Sequence, residues 1–146
     1  MKFTMIIDPE KEEALVATVH APSALTEKIQ QLVLEYTGTD RVAAYRDEDI
    51  QMLPFSEIAC ITVIEGKTVA VDSKGIHYRL KQRLYELEAV LPHSFLRINK
   101  SAIANGQLIE RFAANFSGAV DAVFRGGYRE YVSRRCFAQI KRRYRL

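Results

Sequence analysis

Three short segments of this 146-residue chain carry side chains suited to gripping a polyanion. The first is "RINKS", residues 97–101, where Arg97, Asn99, Lys100 and Ser101 sit among the apolar residues Phe95, Leu96, Ile98 and Ile103. Nucleic-acid recognition needs cations to meet phosphates and a few forked or amide side chains to read base edges. An asparagine can bridge adenine, and an arginine or lysine can reach guanine acceptors. The second segment is "SRR", residues 133–135, where Ser133 is a natural N-cap and Arg134 and Arg135 bring cations to free backbone amides. The third is the corner Glu65-Gly66-Lys67-Thr68, a weaker signal taken alone.

Other chemistries find little material. The three histidines, His20, His77 and His93, lie far apart, and none is spaced from another His or from a Cys as zinc ligands are. There is no nucleophile elbow, phosphate-binding glycine loop or dinucleotide fingerprint. The carboxylates of "DPEKEE" and "RDEDI" fall in turn-like, solvated stretches rather than a pocket that could pair catalytic acids. The expectation is a protein that is not an enzyme and needs no cofactor or metal. Cys60 and Cys136 both sit in apolar company and read as reduced core thiols of a cytoplasmic protein. No apolar run approaches the roughly 20 residues that span a bilayer, so no membrane insertion is expected.

Charge is divided unevenly. The net value is only +3, but residues 1–92 hold 10 Lys/Arg against 15 Asp/Glu, while residues 93–146 hold 11 against 3. A balance of −5 beside one of +8 points the C-terminal third at a polyanion.

The elements that must position these groups follow from periodicity. Residues 2–7 and 14–20 read as two short strands around the acidic turn "DPEKEE". Pro22 and Ser23 then open a helix whose stripe is Leu25, Ile29, Leu32, Val33 and Tyr36, ended by Gly38. These 40 residues form a β-β-α unit too small to be stable alone.

From Arg41 the period becomes two. Short antiparallel strands "RVAAYR", "IQMLPF", "EIACITVIE", "KTVAVDS" and "IHYR" follow one another through turns containing Gly and Asp. A helix with Leu80, Leu84, Leu87 and Leu91 on one face stops at Pro92. After the "RINKS" stretch come "LIERFAANF", "AVDAVFR" and "YREYVS". Asn105-Gly106 reads as a turn pair with positive φ, Tyr128 and Tyr131 as core, and Arg97 as a phosphate contact or the partner of a carboxylate such as Glu110. A last helix, 134–145, turns Phe137, Ile140 and Tyr144 inward and Arg134, Lys141, Arg142 and Arg145 outward. The fold class expected is α+β, predominantly antiparallel β.

The order "FLRINKSAIANGQLIE", a strand pair, then "YREYVSRRCFAQIKRRY" resembles the LytTR family of bacterial DNA-binding domains. The upstream "MLPFSEIACITVIEGKTVAV" and "LKQRLYELEAVL" fit it too, so the resemblance covers residues 41–146. It implies an elongated antiparallel β-fold whose loops, not a recognition helix, enter successive major grooves of duplex DNA. By that resemblance the corner near Lys67, the Asn99-Lys100 segment and Arg134 should face the DNA; these are the places the residue types picked out, so the candidate contacts are Lys67, Thr68, Asn99, Lys100, Ser101, Arg134 and Arg135. Two positions depart from the family pattern: Asn99 stands where many members have a histidine, and Ala104 where a larger aliphatic is usual. Forty leading residues leave no room for the receiver domain that many members carry, so a stand-alone regulator is expected. The leading unit would pack on the domain or join two copies in a homodimer on repeated half-sites. Two other classes fit the basic third alone: an RNA-binding protein, and a module that meets an acidic protein partner.

Overall fold

The computed structural model describes residues 1–146 and begins its regular structure with helix α1, Ala24–Thr37. Ser23 caps that helix in a reciprocal box with Thr26, and Gly38 ends it in the left-handed conformation at φ 71°. Ten strands follow: β1 Arg41–Arg46, β2 Asp49–Pro54, β3 Ile58–Ile64, β4 Lys67–Asp72, β5 His77–Arg79, β6 Phe95–Asn99, β7 Ala102–Asn105, β8 Ile109–Ala114, β9 Val120–Phe124 and β10 Arg129–Val132. Helix α2, Leu84–Glu88, lies between β5 and β6, and α3, Arg134–Tyr144, closes the chain. All pairings are antiparallel. One sheet has seven strands in the order β2-β1-β5-β4-β3-β7-β6, and the other has three, β10-β9-β8. The expected α+β class, mostly antiparallel, is what forms.

Strand β3 explains how two cores share one sheet. Its first five residues are buried, with no alternation. Ile58 and Ile61 join a core with Val42, Leu53, Phe55, Tyr78 and Leu87, while Ala59 and Cys60 join a second with Ile98, Phe124, Val132 and Ile140. An irregularity in the β3–β4 register between Ile58 and Cys60 puts two successive residues on the same face. A strand covered on both faces is apolar throughout, hence the run "IACI".

Four expectations need correction. Residues 2–7 and 14–20 form no ladder, although the turn between them is made by the Lys11 amide donating to the Asp8 carbonyl at 3.3 Å. Alternating apolar residues permit a strand, but a strand needs a partner edge, and the arm pairs with none of the edges at β2, β6, β8 and β10. The leucine-rich helix shrinks to five residues; Leu80 is buried before it begins, and Leu87 anchors it. Asn105-Gly106 is not a positive-φ turn. Asn105 is buried, at φ −83°, and its amide donates to the Ile58 carbonyl at 3.0 Å while its Oδ1 accepts from the Gln107 amide at 3.1 Å. Gly106 sits in a tight space: a Cβ there would lie 2.4 Å from the Tyr144 hydroxyl oxygen, which would have to move aside, and 3.1 Å from the Ser94 carbonyl oxygen. Finally, Tyr131 is exposed. It is three residues from Tyr128, and an odd spacing along extended chain puts the two on opposite faces.

Candidate nucleic-acid interface

Three turns meet at one end of the seven-stranded sheet. The β3–β4 hairpin closes through Glu65 and Gly66, both left-handed at φ 52° and 75°, the requirement of a two-residue type I′ turn. Lys67 is thereby fixed opposite Ile64, and Thr68 opposite Val63. The β6–β7 turn is this hairpin's neighbour, because Thr62 pairs with Ala102 and the Val63 amide donates to the Ser101 carbonyl at 3.0 Å. The start of α3 is tied to the same place by the Ser133 amide, which donates to the Ile98 carbonyl at 2.8 Å. Residues 67–68, 99–101 and 133–135 are thus brought together from across the sequence.

Within the central turn each polar side chain has a defined job. Asn99 is half-buried and fully engaged: its Oδ1 accepts from the Ser101 amide at 2.7 Å, and its Nδ2 donates to the Tyr131 carbonyl at 2.7 Å. The first bond shapes the turn and the second fastens it to β10. Arg97 donates from Nε to Glu88 at 2.6 Å and from Nη1 to the Lys100 carbonyl at 2.6 Å. Its carboxylate partner is Glu88, not Glu110. Lys100 and Ser101, held by these contacts, point their side chains into solvent.

Helix α3 begins with the expected cap. The Ser133 hydroxyl accepts from the Cys136 amide at 3.2 Å, leaving the first two amides, those of Arg134 and Arg135, outside the helical ladder. Both arginines are exposed. Neither they nor Lys67 nor Lys100 takes part in any ion pair, whereas Arg41, Arg97 and Arg129 each have a carboxylate. Four unneutralised cations therefore stand around one end of the sheet. Further along α3, Ile140 is buried, Phe137 packs on the second core, and Arg143 donates to the His93 carbonyl.

The ground beneath this end is stiffened by a polar contact between the sheets. The Thr62 hydroxyl donates to the Glu130 carboxylate at 2.6 Å, joining β3 to β10. Nearby groups are held in their protonated forms. Burial, then the Glu130 charge, pushes the Tyr128 phenol above its ordinary range, and burial does the same to the Cys60 thiol. Neither is available as a base or nucleophile at neutral pH. Tyr131, exposed beside Asn99, is the one neighbour of the site that the sequence reading placed in the core. Its odd spacing from Tyr128 was the signal available.

Comparison with known proteins identifies the family and the fold. Residues 48–145 match the sequence profile of the LytTr DNA-binding domain. Several Staphylococcus aureus proteins, including those of strains NCTC 8325 and MRSA252, are 30% identical over 146 residues, covering 98% of this chain and 97% of theirs; each is described as an HTH-type transcriptional regulator. In this chain the three helices are separated by strands, so no helix-turn-helix is formed. Among solved structures, the LytTr DNA-binding domain of a methyl-accepting/DNA response regulator from Bacillus cereus superposes with a TM-score of 0.63 at 22% identity, over 73% of this chain and 98% of that one. The chain belongs to the LytTR family of DNA-binding domains.

Proposed function

We propose that this protein regulates transcription in the cytoplasm by binding duplex DNA sequence-specifically, acting as a binder rather than a catalyst. The observation that carries this reading is the gathering of Lys67, Lys100, Arg134 and Arg135, none ion-paired, at one end of the sheet. Lys100 and Ser101, exposed in the β6–β7 turn, are assigned to base edges; Asn99 holds that turn in shape. Lys67 and Thr68 on one side, and Arg134 and Arg135 on the other, are assigned to the flanking backbone and groove edges. Two copies would occupy half-sites spaced by about one helical turn.

The test is selection from a random duplex library at near-physiological salt. Enrichment of a short motif repeated at about one helical turn supports the reading. Weak, steeply salt-dependent binding with no motif would reduce the basic end to a general polyanion patch. Effective competition by single strands would move the target to RNA.

A further inference from the structure

Helix α1 docks with the wrong face. An amphipathic helix ordinarily covers its apolar stripe with the body of its domain. Here no residue of α1 is fully buried, Ile29 and Leu34 are half-buried, and two polar side chains tie the helix to the body: Gln30 Oε1 accepts from the His93 amide at 2.9 Å, and Glu27 Oε2 accepts from Gln107 Nε2 at 3.2 Å. Leu32 and Tyr36, from the apolar stripe, are 65% and 79% exposed. The arm before the helix is equally bare, with Phe3, Ile7 and Val16 each more than 80% exposed.

The amount matters. Of 22 exposed large apolar residues in the chain, 12 fall within residues 1–36. At roughly 100 Å² apiece they present on the order of 1,000 Å² of apolar surface, more than the few hundred Å² a monomer ordinarily leaves open. That is close to the roughly 800 Å² per partner of a standard stable interface.

We infer that the occupant is a second copy of this chain, whose arm and α1 meet their counterparts head to head. Segments 2–7 and 14–20 have strand-like sequences and no ladder in the single chain, so they are open to edge pairing between copies. A two-fold contact sets like against like and would fail if charged residues faced each other. Residues 3–7 and 14–19 carry no charge, the arm's acidic residues are confined to the turn from Asp8 to Glu13, and in α1 Glu27 is engaged by Gln107, which leaves Lys28 and Glu35, of opposite sign. Position also fits. Helix α1 touches His93 and Gln107, beyond the Phe95–Asn105 end of the β6–β7 hairpin, opposite the end where Asn99 pairs with Ala102. Head-to-head pairing therefore leaves both sets of cationic turns free for DNA. The inference rests on the reading of two copies on one duplex, and supplies the surface that joins them.

The test needs no DNA. Light scattering of the full chain at tens of micromolar should give twice the 16.7 kDa chain mass. Leu32→Asp and Val16→Asp should each return the mass to one chain while the body still unfolds in one cooperative transition. Ile50→Asp, at an equally bare position on edge strand β2, should leave the dimer intact. Amide exchange in residues 2–7 and 14–20 should slow as protein concentration rises. A wild-type monomer, a dimer that survives both head substitutions, or arm exchange independent of concentration would overturn the inference. A dimer that selects no DNA motif would sink the DNA reading and leave this one standing; a monomer that selects a motif would do the reverse.

Discussion

The two ends of this molecule solve opposite problems with similar residues. At the β3–β4 and β6–β7 turns, apolar residues are buried so that a few polar ones can be held out in fixed positions: Ile98 and Ala102 are inaccessible, while Lys100 and Ser101 between them are free. At the N-terminal end the order is reversed. Polar Glu27 and Gln30 attach α1 to the body, and Leu25, Leu32, Val33 and Tyr36 are exposed. The first arrangement holds an exposed polar edge in place within one chain; the second leaves an apolar face open. An apolar period in a sequence therefore reports that a face needs covering, and leaves open which molecule covers it.

The contrast is broken most forcefully in the second core. Phe124→Ala, at a side chain with no exposure, should cost about 3–5 kcal/mol of unfolding free energy in a denaturant titration. Leu32→Ala in α1, measured on dilute protein, should fall within about 0.5 kcal/mol of wild type. Comparable losses at the two positions would mean that α1 is covered by its own chain.

Next in size are the polar clamps. Thr62→Val leaves the Glu130 carboxylate without its 2.6 Å donor and should cost about 1–3 kcal/mol. Asn99→Ala removes both bonds that shape and fasten the central turn, and should lower affinity for a selected duplex even with Lys100 unchanged. Binding at the wild-type level would show that Asn99 has no positioning role.

Smaller effects separate reading from attraction. Lys100→Ala should weaken a selected site by roughly 1–3 kcal/mol and scarcely change binding to unrelated duplexes. Arg142→Ala, on the outer face of α3, should weaken all duplexes alike and reduce the salt slope by about 1. Equal small losses for both substitutions would remove the assignment of Lys100 to a base edge.

Much of this was legible in the sequence, and the failures have physical causes. Ser23 and Gly38 bracket α1, and Ser133 caps α3, because capping is a local transaction between a side chain and the nearest amides. The cations at 67, 100 and 134–135 were visible as residue types. Their convergence was not, since it depends on β3 pairing with β7 across some forty residues of chain. Asn105 looked like a turn residue beside Gly106; its use as a buried clamp on the Ile58 carbonyl required knowing that β3 runs alongside. Leu80 and Leu87 share a helical stripe on paper, yet reach the same core from an extended segment and a short helix. Burial in one cluster constrains side chains, and more than one backbone path satisfies it.

The most direct measurement is amide chemical-shift mapping of the full chain as a selected duplex is added. If the three turns form one DNA-facing end, perturbations should concentrate in residues 64–68, 99–101 and 133–135, with residues 1–36 unaffected. Perturbation confined to a single turn, or centred on the N-terminal arm and α1, would contradict it.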